Sequence, residues 1–366
     1  MFDRRLFVYV DWVLLAPVVL LCAVGVVMIY STTYDPTTQV VGTPFYTQLY
    51  ALALGVVAFA ICLSIDYRTL SEYSLLIYAG SVALLVYVLV FGVEVGGARR
   101  WISLGSFHLQ PSEFAKLGLA LVLATFFADG RRSARATEDL LLAGAFVVVP
   151  VALIVREPDL GTAVTFITVW FGIMFLAGLR MRVLAILTAV AVLAAPVAWT
   201  YALEDYQRAR LSTFLDPGQD ARGAGYQPIQ ARITVGSGGL TGKGFLQGTQ
   251  GQYKFLPAAH NDFIFAVLAE EQGFLGVLVA LGLYLFVVLR GFEAARLAKD
   301  RLGTYLVVGV MSAFTFQVIY NITMSAGLAP VKGLPLPLMS AGGSSLVATL
   351  AGFGLILNVR MRRLTN

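Results

Sequence analysis

Three groups of side chains in this sequence have the makings of a reactive site. Glu113 and Lys116 stand three residues apart at the start of an apolar run. That spacing puts both on one helix face, where an acid and an amine can pair. Ionisable residues inside a membrane are expensive and are read as functional by default; a structural ion pair, or charges reaching to the interface, is the plain alternative. Asp262 ends the stretch Leu256-Pro-Ala-Ala-His-Asn-Asp, just ahead of another apolar run. It could cap a helix. It could equally act as a general base, because an alcohol is a poor nucleophile until a positioned carboxylate accepts its proton. Arg99, Arg100, Arg156, Arg210, Lys243 and Lys332 fall on the same side of the chain's topology as Asp262. Each alone suits a solvated or headgroup contact; together they suit a diphosphate, which needs cations to bind and to leave. The chain has two histidines, His108 and His260, and two cysteines, Cys22 and Cys62. That excludes a His-rich metal site, and the cysteines have neither disulfide nor metal spacing.

The elements that must position these residues are membrane helices. Of 366 residues, 58% are apolar and 13% charged, against roughly 45–50% and about 25% in soluble domains. Such a composition needs the bilayer as its solvent. Runs near the ~20 residues a span requires predict about ten transmembrane helices: Trp12–Tyr30, Tyr46–Leu63, Glu72–Phe91, Glu113–Ala128, Leu140–Val155, Leu160–Gly178, Val183–Leu203, Phe263–Leu289, Thr304–Ser325 and Leu338–Val359. The first is read as an uncleaved helix, being too long for a signal peptide's apolar region. The net charge of +5 sits in short runs between apolar segments, which argues against a nucleic-acid partner.

Orientation follows from where the basic residues lie. One set of loops holds Arg4, Arg5, Arg68, Arg131, Arg132, Arg135, Arg180, Arg182, Arg290, Arg296, Lys299, Arg301, Arg360, Arg362 and Arg363. The short loops of the other face hold only Arg99, Arg100, Arg156 and Lys332. Both termini are therefore expected in the cytoplasm, with the candidate chemistry outside. The long outer loop, residues 204–262 within a single 1–366 domain, is rich in glycine but also in Phe214, Tyr226, Ile229, Ile233 and Phe245. Loops of this length are functional or disordered, and the apolar content argues for short amphipathic pieces. From Asn321 to Ser345, three prolines and several glycines rule out one straight helix. Irregular backbone at membrane depth survives only when buried or lining a cavity, so a re-entrant segment is expected before the last span. No internal repeat supports an inverted-repeat transporter.

In that stretch, with Gly327, Pro330, Gly333, Ser340, Gly342 and Gly343 in place, the chain resembles the SEDS family (shape, elongation, division and sporulation), the RodA/FtsW/SpoVE group, most closely its RodA branch. Further matches are Gly97-Ala-Arg-Arg-Trp-Ile, Gln110-Pro-Ser-Glu-Phe-Ala-Lys, Pro158-Asp-Leu-Gly-Thr, Arg210 with Phe214-Leu-Asp-Pro, Gly236-Ser-Gly-Gly-Leu-Thr-Gly-Lys-Gly and His260-Asn-Asp-Phe-Ile-Phe-Ala. Asn261 stands where Thr is common, Ala258 where Glu is common, and His108 where Arg is frequent.

The resemblance implies a peptidoglycan glycosyltransferase of the bacterial inner membrane that polymerises lipid II during cell-wall elongation. It implies that Asp262 is the catalytic residue, supported by the Glu113–Lys116 pair. It also implies a class B penicillin-binding protein as transpeptidase partner, other elongation-complex membrane proteins, and a divalent cation (Mg or Mn) with unassigned ligands. The rival classes are a flippase for the same lipid-linked precursor, whose path intramembrane charges would line, and a scaffold anchoring a partner enzyme.

Overall fold

The apolar runs fold as helices, and Asp11, Asp66, Asp159 and Asp300 each cap the start of one. The computed structural model describes residues 9–95, 98–105, 107–197, 199–200, 205–220, 223, 225–253 and 255–364; Arg4, Arg5, Gly97, Leu203 and Glu204 of the sequence argument lie outside them. In chain order come α1 (Trp12–Thr33), a ribbon of β1 (Tyr34–Asp35) and β2 (Val40–Val41), α2 (Thr43–Ser64), α3 (Tyr67–Glu72) and α4 (Ser74–Phe91). Strands β3 (Val93–Val95), β4 (Ala98–Leu104) and β5 (Phe107–Leu109) precede α5 (Pro111–Ala128), α6 (Thr137–Arg156), α7 (Leu160–Leu176) and α8 (Met181–Val197). The long segment that follows carries α9 (Asp205–Leu215), α10 (Tyr226–Ser237) and α11 (Thr249–Gln252). Helices α12 (Ile264–Arg296), α13 (Arg301–Ser325) and α14 (Gly343–Met361) complete the chain.

Eight of these helices are long and apolar enough to cross a membrane, and α7 and Met181–Val190 of α8 are shorter apolar helices. The expectation of ten spans is met in this form. The fourth and fifth runs, short in sequence, extend to Pro111 and Thr137 because their polar first turns are helical too. The last begins later than expected, at Gly343, since Pro335, Pro337 and a left-handed Leu338 (φ 71°) hold the preceding segment out of the helix. The small antiparallel β3–β4–β5 sheet is an addition to the all-α reading.

Burial sorts the bundle. The apolar windows of α5 and α13 are 72% buried and that of α14 is 89% buried, against 17% for α4. These three helices are the core, and α4's mostly exposed apolar surface suits lipid. Glycines permit the closest approaches: a Cβ on Gly25 would meet the Met339 backbone at 2.6 Å, and one on Gly354 the Phe59 carbonyl oxygen at 2.6 Å. At one end of the bundle the basic residues are tied to acids. Arg68 lies 3.0 Å from Asp300, Arg362 3.0 Å from Asp66, and Arg360 2.8 Å from Asp11, which also caps α1. The β3–β5 sheet, the 205–262 segment and the 326–342 segment gather at the opposite end.

Within α12, Gly273 (φ 64°, ψ −165°) breaks the helix. A break strands backbone groups that must find partners away from water. The glycine-rich loop supplies them: Lys243 and Gly244 N–H donate to the carbonyls of Glu270 and Glu271, and Phe274 and Leu275 N–H donate to those of Gly239 and Leu240.

Candidate active site

Four helices begin around one cavity. Gln110 caps α5, Asp159 caps α7, Phe263 precedes α12 and Gly342 precedes α14. The space they enclose, about 230 Å³, is lined by Asp262, Asn261, Arg100, Trp101, Gln110, Glu113, Asp159, Thr162, Gly333, Pro335 and Ser345, among others. Helix N-termini carry unsatisfied N–H groups and a partial positive charge, so their convergence favours an anion.

Asp262 lies between helix and loop. Its backbone carbonyl accepts from Asn321 Nδ2 (2.9 Å), which also donates to the Leu334 carbonyl (2.8 Å). One α13 side chain thus pins the base-bearing turn to the segment facing it. No side chain caps α12, so the capping reading of Asp262 fails. Burial pushes its carboxyl up to about 6; Arg100 and Arg210 pull it down through space, and Asp159 pushes it up. Gly333, left-handed at φ 63°, leaves room beside it: an added Cβ would stand 3.6 Å from Asp262 Oδ2.

The two adjacent arginines separate because successive side chains of a strand point to opposite faces. Arg100 turns inward and pairs with Asp159 Oδ2 at 3.1 Å. Arg99 turns outward, exposed, 3.8 Å from Glu94. Asp159 is almost saturated: besides Arg100 it accepts from Gln110 Nε2 (3.2 Å), Thr162 Oγ1 (2.9 Å) and Thr162 N–H (3.0 Å). It therefore holds Arg100 toward Asp262. Two residues earlier, Glu157 is buried with both oxygens unpartnered, and burial, then Asp159, pushes it up to about 8.

Glu113 and Lys116 are both buried and 2.8 Å apart. Glu113 lines the Asp262 cavity; Lys116 does not, but shares with Glu113 a smaller cavity below, walled by Gln317, Thr349 and Phe353.

The other basic candidates do not join this cavity. Arg156 is exposed at the end of α6. Lys243 is bound to the buried carboxylate of Glu270 (2.6 Å) and to Thr249 Oγ1 (2.9 Å). Arg210 and Lys332 line a neighbouring groove with Pro158, Leu160, Gly161 and Pro330. Sequence reasoning gave no role to Asp159, Gln110, Thr162 or Asn321. The Asp-Leu-Gly-Thr pattern, an acid two residues before a helical glycine, was the available signal for Asp159. Trp101 also lines the cavity, with its indole N–H buried and unpartnered.

Among the described residues no group of three or more His, Cys, Asp or Glu is placed to hold a metal. With Asp159 saturated, Asp262 is the uncommitted carboxylate that lines the cavity beside Arg100; Glu157, also near Arg100, lies outside that lining. That does not make a protein cage, though Mg²⁺ is often held by one carboxylate plus substrate phosphates.

Comparisons with known proteins agree with this architecture. The chain is 38% identical over 312 residues to the peptidoglycan glycosyltransferase MrdB of Escherichia coli (strain K12), covering 85% of this chain and 84% of that one. It superposes on a chain of a peptidoglycan synthase complex solved in work on coordinated polymerization and crosslinking, with TM-score 0.85, 35% identity, and 98% and 99% of the two chains covered. The crystal structure of the rod shape determining protein RodA of Thermus thermophilus matches with TM-score 0.73, 34% identity and 98% of each chain. Residues 11–364 match the FtsW/RodA/SpoVE family of cell cycle proteins, and the chain belongs to that family.

Proposed function

We infer that this chain is a peptidoglycan glycosyltransferase that polymerises lipid II, with Asp262 as its general base. The observation that carries the reading is one carboxylate, more basic than an ordinary aspartate, beside Arg100 where four helix N-termini converge. Asp262 accepts the proton of the acceptor's GlcNAc 4-hydroxyl. That oxygen attacks the anomeric carbon of the donor's MurNAc, the bond to diphosphate breaks, and undecaprenyl diphosphate leaves with its electron pair. An α-linked donor and a β-linked product make this a single inverting displacement. Diphosphate leaves readily, so cations replace a second acid. Arg100 and the helix N-termini supply positive charge in the cavity. A divalent cation would be held between Asp262 and the substrate diphosphate, where it would add positive charge against the leaving group.

Glu113 and Lys116 form the floor. The pair keeps a charged lysine at depth, where an isolated ammonium would be costly, and sets Glu113 at the cavity wall. We assign the cavity to the outer face of the inner membrane and both termini to the cytoplasm, as the basic loops indicate. A class B penicillin-binding protein is the proposed partner; the match to a chain of a synthase complex supports it.

The test is glycan polymerisation from lipid II by purified protein in proteoliposomes. Wild type should make polymer and Asp262→Asn none, with lipid II still bound. Polymer from Asp262→Asn sinks the assignment of the base. Movement of labelled lipid II across vesicles without polymer sinks the enzyme.

A further inference from the structure

We propose that Glu157 is a positioning residue that acts through Arg100: neutral, it leaves the Arg100 charge to the substrate diphosphate, and as a carboxylate it takes that charge away. This deepens the glycosyltransferase reading and rests on it. Glu157 does not itself line the Asp262 cavity.

The starting point is a set of polar atoms without partners. Glu157 ends α6, its backbone N–H donating to the carbonyls of Leu153 and Ile154. Its side chain is buried, and neither carboxyl oxygen meets a donor in the protein. On strand β4, Arg100 Nε and the Trp101 indole N–H are buried donors that meet no acceptor. Buried polar groups are nearly always paired, so each exception needs an explanation. Here idle acceptors and idle donors stand around one guanidinium.

Asp159 is the reason. Two residues span at most about 7 Å, so Glu157 and Asp159 compete for the same donors. Asp159 has taken them: Arg100 Nη1, Gln110 Nε2, and the hydroxyl and N–H of Thr162. Burial and then the charge of Asp159 push Glu157 up to about 8, against the pull of Arg100. The other charged groups of this region point elsewhere. Arg156, the preceding residue, is exposed, and Arg99 turns to the outer face beside Glu94. Arg210 and Lys332 line the groove that Pro158 and Leu160 wall off.

The consequence for substrate follows from counting charges. With Glu157 neutral, the Arg100–Asp159 pair carries no net charge, and the helix N-termini leave the cavity favourable to an anion. Ionised Glu157 adds a negative charge beside the same guanidinium. A buried carboxylate cannot stay unpaired, and the idle Nε of Arg100 is the charged donor at hand. Two carboxylates then share one cation, next to the place where a diphosphate must sit. The competent form is the protonated one, so binding is lost as pH rises through about 8.

The experiment measures binding of a short-chain polyprenyl diphosphate to purified protein in phosphatidylcholine nanodiscs from pH 7 to 9, with Tm followed at each pH. The protonated fraction of Glu157 falls from about nine-tenths to about one-tenth over that range, so wild-type affinity should weaken roughly tenfold. Glu157→Gln keeps the shape and cannot ionise; its affinity should stay level from pH 7 to 9. Glu157→Met, apolar and of similar length, is the second variant and should also stay level. Initial-rate polymerisation of lipid II should show the same alkaline limb in wild type and none in Glu157→Gln. A wild-type affinity that is level between pH 7 and 9, or no binding at pH 7, overturns the proposal. So does a tenfold limb that persists in either variant, which would leave Glu157 a structural part only. Absence of glycan from wild type would sink the glycosyltransferase reading without altering these binding curves.

Discussion

If Asp262 is the base, lowering the pH from 7 to 5 should cut kcat/KM about tenfold. Its carboxyl is pushed up to about 6 by burial, against the cations nearby. A base with that value is about nine-tenths ionised at pH 7 and about one-tenth ionised at pH 5. An ordinary aspartate near 3.9 would stay more than about nine-tenths ionised at pH 5, and the rate would hardly change. The sign follows from the role: the active form is the carboxylate, so activity is lost as pH falls through the raised value. Arg100 pulls the carboxyl down, so Arg100→Gln should move the acid limb above 6 as well as weaken binding. Asp159→Asn removes a neighbour that pushes it up, but also frees Arg100, and is the less clean variant. The assay is initial-rate polymerisation of lipid II at subsaturating concentration from pH 5 to 8, with Tm followed at each pH. A flat profile between 5 and 7, or a limb at the same pH in Arg100→Gln, would refute the argument.

Three further outcomes are expected. Asp262→Asn should be inactive yet more stable. A carboxyl raised about two units disfavours the folded state by up to ~3 kcal/mol at neutral pH, or roughly 1–2 kcal/mol once water in the cavity is allowed for. Tm in detergent checks this; the wild type should gain from lower pH what the variant already has. Glu113→Gln or Lys116→Met alone leaves a buried charge unpaired, at a cost of about 3–5 kcal/mol. Glu113→Gln/Lys116→Met should recover much of that loss in Tm without recovering the full rate. Arg99→Gln should leave polymerisation unchanged while Arg100→Gln depresses it, because the strand turns one outward and the other onto Asp159.

Much of the fold was legible because each span must be apolar over its whole length, and a helix meets its own backbone needs. The pairing of Glu113 with Lys116 followed from spacing alone. Asp262 was legible as a carboxylate at a helix start, but spacing could not separate a cap from a base; the absence of a capping bond at Phe263 removes the cap and leaves the base as the proposal. What the sequence could not yield was which residues meet across the bundle. Asp159 and Asp262 are about a hundred positions apart, and their sharing of Arg100 depends on helix packing. Arg99 and Arg100 are equivalent in composition and become different only through the period-2 geometry of a strand that was not foreseen.

Lys243 shows how one physical rule gives two glycine-rich stretches opposite fates. Both stretches accompany helix interruptions, where stranded backbone groups need partners. Around 326–342 the groups are met partly by Asn321 and Ser340, and the segment is left to wall a cavity. At Gly273 the loop of residues 239–244 fills the break itself. Gly242, left-handed at φ 81°, fits so tightly that a Cβ would meet the Glu271 carbonyl oxygen at 2.1 Å. Lys243 follows it inward onto Glu270, whose carboxylate also accepts the N–H groups of Thr249 and Gln250. The diphosphate role expected for Lys243 therefore conflicts with its position: its charge is spent on a fully buried acid. Lys243→Met should cost about 3–5 kcal/mol by leaving that acid unpaired, and Lys243→Met/Glu270→Gln should regain most of it. In protein that remains folded, the affinity for lipid II should match wild type. A loss of lipid II binding in the stable double variant would return Lys243 to the substrate and break the structural account.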